Sequence, residues 1–433
     1  MKRLCYMTVL CLAGALAGCG AGNIATTAPA RSPSGGTPST STTFDCNGQW
    51  MWGGNNQGIA STNGSEFHPA GTLAYPRAGH TATLLKDGSV LVVGGGQLDV
   101  DDLLVSISSA EIFDPVRSQF AAVEKPCSAA AEFQTATLLN NGKVLVAGGN
   151  EFGGYPTWLQ ATAAAELYDP VVHAFAFTGS MTIGRTHHTA TLLRDGRVLI
   201  VGGATTVGSG ANTTTPATSN TEIYDPSLGA FIPAASMTAG RIAHTATLLP
   251  SGEVLIAGGE NAQGALSTAE IYDPEMNTFV STGTMMAPRT GHTATLLNNG
   301  MVLIAGGATS NAFPSGGIAI NAVPQLTAEL YDPGTGRFSP AGPMSAGRLA
   351  HSATLLPDGR VLIAGGFKSY VGRYESLTTA EIFDPGTNSF STTGPMNAGR
   401  FWHSATSLSD GTVLIIGGIN EDLPQASAET FKN

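Results

Sequence analysis

A run of four apolar residues recurs along this chain, and each time it stops at Gly-Gly, as Val198-Leu199-Ile200-Val201 stops at Gly202-Gly203. The pairs stand at Gly94-Gly95, Gly148-Gly149, Gly202-Gly203, Gly258-Gly259, Gly306-Gly307, Gly365-Gly366 and Gly417-Gly418, with spacings of 54, 54, 56, 48, 59 and 52. The runs do not alternate, so each predicts a strand buried on both faces. Ahead of each run lies Thr/Ser-Ala-Thr, as in Thr245-Ala246-Thr247, and a turn ending in Gly: Asp87-Gly88, Asn141-Gly142, Asp195-Gly196, Ser251-Gly252, Asn299-Gly300, Asp358-Gly359 or Asp410-Gly411. Asn-Gly and Asp-Gly accept the positive φ of a tight hairpin, so a first strand is predicted to fold back on the second. After a loop of varying length comes a third strand, Glu-x-Tyr/Phe-Asp-Pro, as in Glu222-Ile223-Tyr224-Asp225-Pro226. Its Asp can bond the backbone ahead, and its Pro presets the next turn. A fourth, short strand carries Phe120, Phe175, Phe231, Phe279, Phe338 or Phe390. A period near 50 residues suits four short strands and is too long for helical hairpins.

The seventh unit stops after its third strand, Ala428-Glu429-Thr430-Phe431. Its missing fourth strand is found in Ser65-Glu66-Phe67-His68-Pro69, where Phe67 precedes His80 by the same 13 residues that separate Phe279 from His292. The ring is therefore expected to close non-locally, with no open strand edge at the seam.

Double Gly and a downstream aromatic, seven times in order over residues 65–433, resemble kelch repeats, especially the bacterial kelch proteins related to the central domain of galactose oxidase. The resemblance implies an all-β fold, a seven-bladed kelch-type β-propeller with one four-stranded blade per repeat.

The chain begins differently. Lys2 and Arg3 precede an apolar stretch, Leu4 to Ala17, that has the shape of a secretory signal and is too short for a good membrane span. Leu16-Ala17-Gly18-Cys19 resembles the lipobox of bacterial lipoproteins. That resemblance implies cleavage before Cys19, lipidation of its sulfur and, with Gly20 next, sorting to the outer membrane of the cell envelope. Several acyl chains anchor far more firmly than one. Residues 1–18 are thus read as a lipoprotein signal peptide. Residues 19–43, rich in Ser, Thr, Pro, Gly and Ala, are read as the lipidated Cys and a flexible tether. Its coil would span about 25–30 Å end to end. Residues 44–64 form an N-terminal extension, and 65–433 the propeller. With Cys5 and Cys11 lost in the signal, Cys46 and Cys127 remain as an even pair in an oxidising compartment, where a disulfide is plausible and two free thiols are the alternative.

Charge narrows the function. The chain has 20 Lys and Arg against 31 Asp and Glu, a net of −11, which argues against a nucleic-acid partner. The tight Gly and Asp-Pro turns share one face of the predicted ring, and the variable loops share the other. Binding residues usually lie on such loops over a rigid scaffold. Phe152, Tyr155 and Trp158 in unit two, and Tyr370, Arg373 and Tyr374 in unit six with Phe367 beside them, are candidate ligand contacts for a protein or glycan. They can equally fold inward as loop cores. Asp99, Asp101 and Asp102 lack the full spacing of a calcium loop.

Arg-x-x-His precedes the first strand in six units, at Arg77/His80, Arg185/His188, Arg241/His244, Arg289/His292, Arg348/His351 and Arg400/His403, while unit two has Ala131 and Gln134. One reading is an anion-binding mouth around the channel. The other is structural mortar, with each Arg pairing the repeat Glu: Glu111, Glu166, Glu222, Glu270, Glu329, Glu381 or Glu429. With seven Glu and six Arg, one Glu needs another donor. The galactose oxidase resemblance implies copper held by two His and two Tyr, one Tyr cross-linked to Cys. Here no Tyr immediately precedes a His. No catalytic residue, metal or cofactor is therefore expected. The expected function is a membrane-anchored, non-catalytic binding module. The alternatives are a sugar-acting isomerase or hydrolase, or an oxidase.

Overall fold

The computed structural model describes residues 66–98, 104–124, 126, 132–151, 160–206, 214–309, 322–370, 373–421 and 423–433, within one compact unit, Ala60–Asn433. Seven antiparallel four-stranded sheets form the blades. Blade one consists of Thr81–Leu84, Val90–Val93, Ala110–Asp114 and Gln119–Ala122, paired in that order. Blades two to seven begin at Thr135, Thr189, Thr245, Thr293, Ser352 and Ser404. First strands of successive blades are neighbours all the way round, blade seven meeting blade one.

Closure is as expected. Glu66–Thr72 pairs antiparallel with Ser427–Lys432, with Phe67 opposite Phe431 and the two rings 5.0 Å apart. The first and last segments of the ring thus share blade seven, and closure rests on contacts most distant in sequence.

There is no single central core. Seven apolar clusters fill the wedges between adjacent blades. In blade four, Val254 and Ile256 enter the cluster shared with blade three, while Leu255 and Ala257 enter the one shared with blade five. Both faces of every second strand are buried this way, which is why its hydrophobicity is continuous. Outward along each blade, the third-strand aromatic packs on the fourth-strand Phe, with Tyr272 and Phe279 at 4.8 Å.

The loop face holds structure that the residue pattern does not announce. Short two-stranded ribbons rise from several blades, including Gly96–Leu98 with Leu104–Ser106 and Phe367–Tyr370 with Arg373–Ser376. The opposite face is made of tight turns. There each third-strand Asp accepts backbone N–H groups ahead of it, as Asp273 Oδ1 does from Glu275 and Met276.

Candidate functional site

At the approach to blade four, Arg241 is fully buried and turned into its own blade. Its Nη1 donates to the carbonyls of Gly258 and Thr268, both at 2.9 Å, and its Nη2 to Glu270 Oε1 at 2.7 Å. The other oxygen of Glu270 accepts the Thr238 N–H at 2.9 Å. The carbonyl of Arg241 accepts from Gly203 of blade three. Side chain and backbone of one residue therefore bind two blades. Arg77–Glu111, Arg185–Glu222, Arg289–Glu329, Arg348–Glu381 and Arg400–Glu429 repeat the pair at 2.5–2.8 Å. These guanidinium groups are mortar and do not line the channel. The anion-binding mouth is excluded for them.

Gly-Gly is required here twice over. A Cβ on Gly202 would sit 2.7 Å from the Arg241 carbonyl and one on Gly203 2.8 Å from the His188 Cβ, and both residues have positive φ, 62° and 95°. The six His complete the seams. His292 Nε2 lies 3.1 Å from Thr245 Oγ1 of the preceding blade, and the other five make the same contact. Burial lowers these imidazoles, to about 3 at His244, His292 and His403. They are neutral spacers at ordinary pH.

The channel mouth on the loop face is built by the residue just before each His position. Gly79, Phe133, His187, Ala243, Gly291, Ala350 and Trp402 all adopt positive φ between 50° and 63°. Their peptides join in a closed circle. Gly79 donates to Trp402, Phe133 to Gly79, His187 to Phe133, and so on round to Trp402, which donates to Ala350, at 2.9–3.4 Å. Side chains divide this circle in two. Phe133 stacks on His187 at 4.1 Å and meets Trp402 edge-on at 4.9 Å, closing over Gly79, whose Cβ would lie 2.9 Å from the Phe133 ring. Ala243, Gly291 and Ala350 leave the other half small.

Blade two breaks the pattern. Its approach reads Ala131-Glu132-Phe133-Gln134. Gln134 Nε2 donates to the Val93 carbonyl at 3.1 Å, and Thr81 Oγ1, where a His would otherwise sit, has no partner among the described residues. Glu132 occupies the position held elsewhere by Ala78, Thr186, Ile242, Thr290, Leu349 and Phe401, several of which form an apolar belt around the mouth. It is 3% exposed, and its Oε1 has no hydrogen-bond partner among the described residues. Burial alone lifts its carboxyl to about 7. Burial lowers the imidazole of His187, which stacks on Phe133, to about 4. Glu166, the repeat Glu of this blade, is buried, and the sequence of this unit carries Ala131 where the other six have Arg.

A profile of the kelch motif matches residues 243–286 and 348–397, which span blades four and six. The ring is a kelch-type propeller. Among solved structures it resembles a fungal alcohol oxidase of the AA5 family in complex with copper, with a TM-score of 0.66 and 17% identity over 86% of this chain and 76% of that one. It also resembles YjhT, with a TM-score of 0.55 and 14% identity over 74% of this chain and 99% of that one. At such identities the likeness is one of fold. No curated protein matches the chain in sequence.

The oxidase likeness invites a test of the kelch mouth against copper. The ring of seven mouth residues offers one imidazole, His187, and no phenol. The six neighbouring His are wedged between blades against Thr or Ser. Tyr168, Tyr224, Tyr272 and Tyr331 are packed on fourth-strand Phe rings. Among the described residues, no three His, Cys, Asp or Glu are grouped to hold a metal ion. These donors do not fit a two-His, two-Tyr set.

Of the contacts expected from sequence, Phe152, Tyr155 and Trp158 lie outside the described residues, as do Cys19, Cys46, Cys127 and Asp99, Asp101 and Asp102. In the backbone register of the blade-six ribbon on the loop face, Tyr370 stands opposite Arg373 and Tyr374 opposite Ser369. Phe367, at the base of that ribbon, is buried and packs on Phe401 at 5.0 Å, so it is loop core. The mouth circle and Glu132 escaped the sequence reading. The replacement of Arg-x-x-His by Ala131-Glu132-Phe133-Gln134 was the signal that pointed to them.

Proposed function

We propose that this chain is a bacterial lipoprotein, anchored to the outer membrane through Cys19, whose kelch ring is a non-catalytic module binding a glycan or protein on its loop face. The observation that carries the reading is the mouth beside blades one and two. Six seams spend the same residues on mortar. The seventh holds instead a buried carboxyl with an oxygen that has no hydrogen-bond partner among the described residues, next to an arc of Phe133, His187 and Trp402. A carboxyl takes a hydroxyl or amide donor from a ligand, and part-exposed rings stack on sugar faces or anchor side chains. The loops carrying Phe152, Tyr155 and Trp158, and Tyr370, Arg373 and Tyr374, extend this surface in the proposal.

The test is binding of residues 20–433 to glycans and cell-wall fragments, beside Glu132→Gln and a Trp158→Ala, Tyr370→Ala, Tyr374→Ala variant. Loss of one charge-assisted bond is expected to weaken binding about tenfold or more. A ligand held equally by all three proteins would remove the loop-face site. A second reading, a sugar-acting enzyme, is favoured by one observation, a Glu132 carboxyl near 7 in the range a general acid or base needs. Turnover of a saccharide that is lost in Glu132→Gln would decide for it.

A further inference from the structure

Glu132 stands in a row where its equivalents are mostly apolar. Its backbone exchanges two bonds with Asn150, at 3.1 and 2.8 Å, in the same bridge that Ala78, Ile242, Leu349 and Phe401 make in their own units. Those four residues belong to the apolar belt that packs against Ala243, Ala350 and Trp402 of the mouth. The bridge therefore sets Glu132 under the mouth, where it is 3% exposed and its Oε1 has no hydrogen-bond partner among the described residues. A carboxylate in such a place is destabilising until a counter-charge reaches it.

The neighbouring elements do not bring one. Arg77 and Arg185, on the approaches to the flanking blades, are paired with Glu111 and Glu222. His80, His187 and His188, on the same approaches, are held neutral by burial. Gln134 donates to the Val93 carbonyl, and the ribbon strand that Asn150 begins continues with another acid, Glu151. The counter-charge is left to a ligand, and the surroundings limit its shape. A carboxyl so nearly enclosed is reached only by a slender group. The arc of Phe133, His187 and Trp402 offers ring faces to a cation and apolar contact to the stem that carries it. A net charge of −11 favours the approach of a cation.

We propose that the mouth at blade two binds a primary alkylammonium group, the side chain of a lysine on a partner protein, with its nitrogen on the Glu132 carboxylate and its methylene stem along Phe133 and Trp402. This rests on the loop-face reading above and names the chemistry of the partner. A sugar amine is carried directly on a broad ring, which cannot follow it to an enclosed carboxyl.

The full-length protein would be titrated with the peptide acetyl-Gly-Lys-Gly-amide and with the same peptide acetylated on Nζ, with NMR following both the peptides and the Glu132 Cδ. The lysine peptide is expected to bind at least about tenfold more tightly at pH 8, and the preference to vanish in Glu132→Gln. Because the ammonium holds Glu132 ionised, the preference should shrink by about tenfold from pH 8 to pH 6, and the Cδ titration midpoint should fall from about 7 when the peptide is bound. Equal affinity of the parent protein for the two peptides, which needs no variant to read, would overturn the proposal. So would a preference that survives in Glu132→Gln. A deacetylated chito-oligosaccharide bound more tightly than the peptide, and lost in Glu132→Gln, would overturn the lysine in favour of a sugar amine and leave the loop-face site standing. If neither peptide and no glycan of the screen above binds, both fall.

Discussion

Blade four and blade two begin at equivalent points of the ring and are built for different ends. At blade four, Arg241 holds Glu270 and two carbonyls, and His244 reaches Thr189 of the blade before. At blade two the sequence has Ala131 and Gln134 instead, and among the described residues Thr81 Oγ1 and Glu132 Oε1 have no hydrogen-bond partner. The apolar wedge is intact at both, since Val93, Val144 and Tyr168 fill the blade one–two seam as Val201, Val254 and Tyr272 fill the blade three–four seam. What differs at blade two, among the described residues, is the polar layer under the mouth. Hydrophobic burial is thus sufficient to keep a seam closed, and the polar layer is what a site can displace. Real proteins break their own repeat rules where function needs the space.

The contrast can be broken most sharply at its strong side. Arg241→Ala would leave Glu270 buried with its charge uncompensated, a loss of about 3–5 kcal/mol in urea unfolding. A change under 1 kcal/mol would mean the pair is not mortar.

Next in size is the opposite response of the two regions to pH. The Glu132 carboxyl is raised on folding, so its contribution is whole below about 4.5 and is lost as pH rises through about 7. Glu132→Gln should therefore be more stable than the parent at pH 8, by up to about 3 kcal/mol, with the gap closing near pH 4. The six seam His are lowered on folding. Their contribution is whole above the unfolded value of about 6.5 and is lost as pH falls toward the lowered folded values, which lie near 3 at His244, His292 and His403. His292→Gln should flatten the acid limb of stability against pH by one proton, and an unchanged slope would show that His292 is not buried neutral.

Smaller still is repair of the weak side. Gln134→His would offer Thr81 the partner its equivalents have, and a gain of about 1 kcal/mol is expected in thermal unfolding. A loss would mean that Gln134 and its bond to Val93 are the better solution in this seam. The smallest effect is expected from Gly291→Ala, about 1 kcal/mol or less, since Ala243 and Ala350 hold the same positive φ on either side.

Legibility from sequence followed the same division. Strand order, continuous burial of second strands, closure by residues 66–72 and the Arg–Glu pairing were all readable, because each leaves a residue type at a fixed spacing seven or six times over. The role of His was not, since its partner is a Thr or Ser some 50 residues away in another blade, and nothing local marks the pair. The mouth circle was invisible for a different reason. It is made by backbone, and Gly79, Phe133, His187, Ala243 and Trp402 share a φ without sharing chemistry. Ala131 and Gln134 were noted as departures, yet only burial shows that Glu132 between them matters. The loop contacts rest on side chains that repeat nowhere, so no second copy exists to read them against.

The closing strand has a mechanical consequence. Glu66–Thr72 runs from the tight-turn face toward the loop face, along its partner Ser427–Lys432. A pull on the chain at Glu66, opposed by a ligand gripped at the mouth, would draw the strand lengthwise past its neighbour. That is shear, in which the ladder bonds and the packed Phe67 and Phe431 rings carry load together. The same strand pulled sideways would peel one pair at a time. The weakest-looking join in the ring is thus set in the direction in which a paired strand resists a pull on its end best.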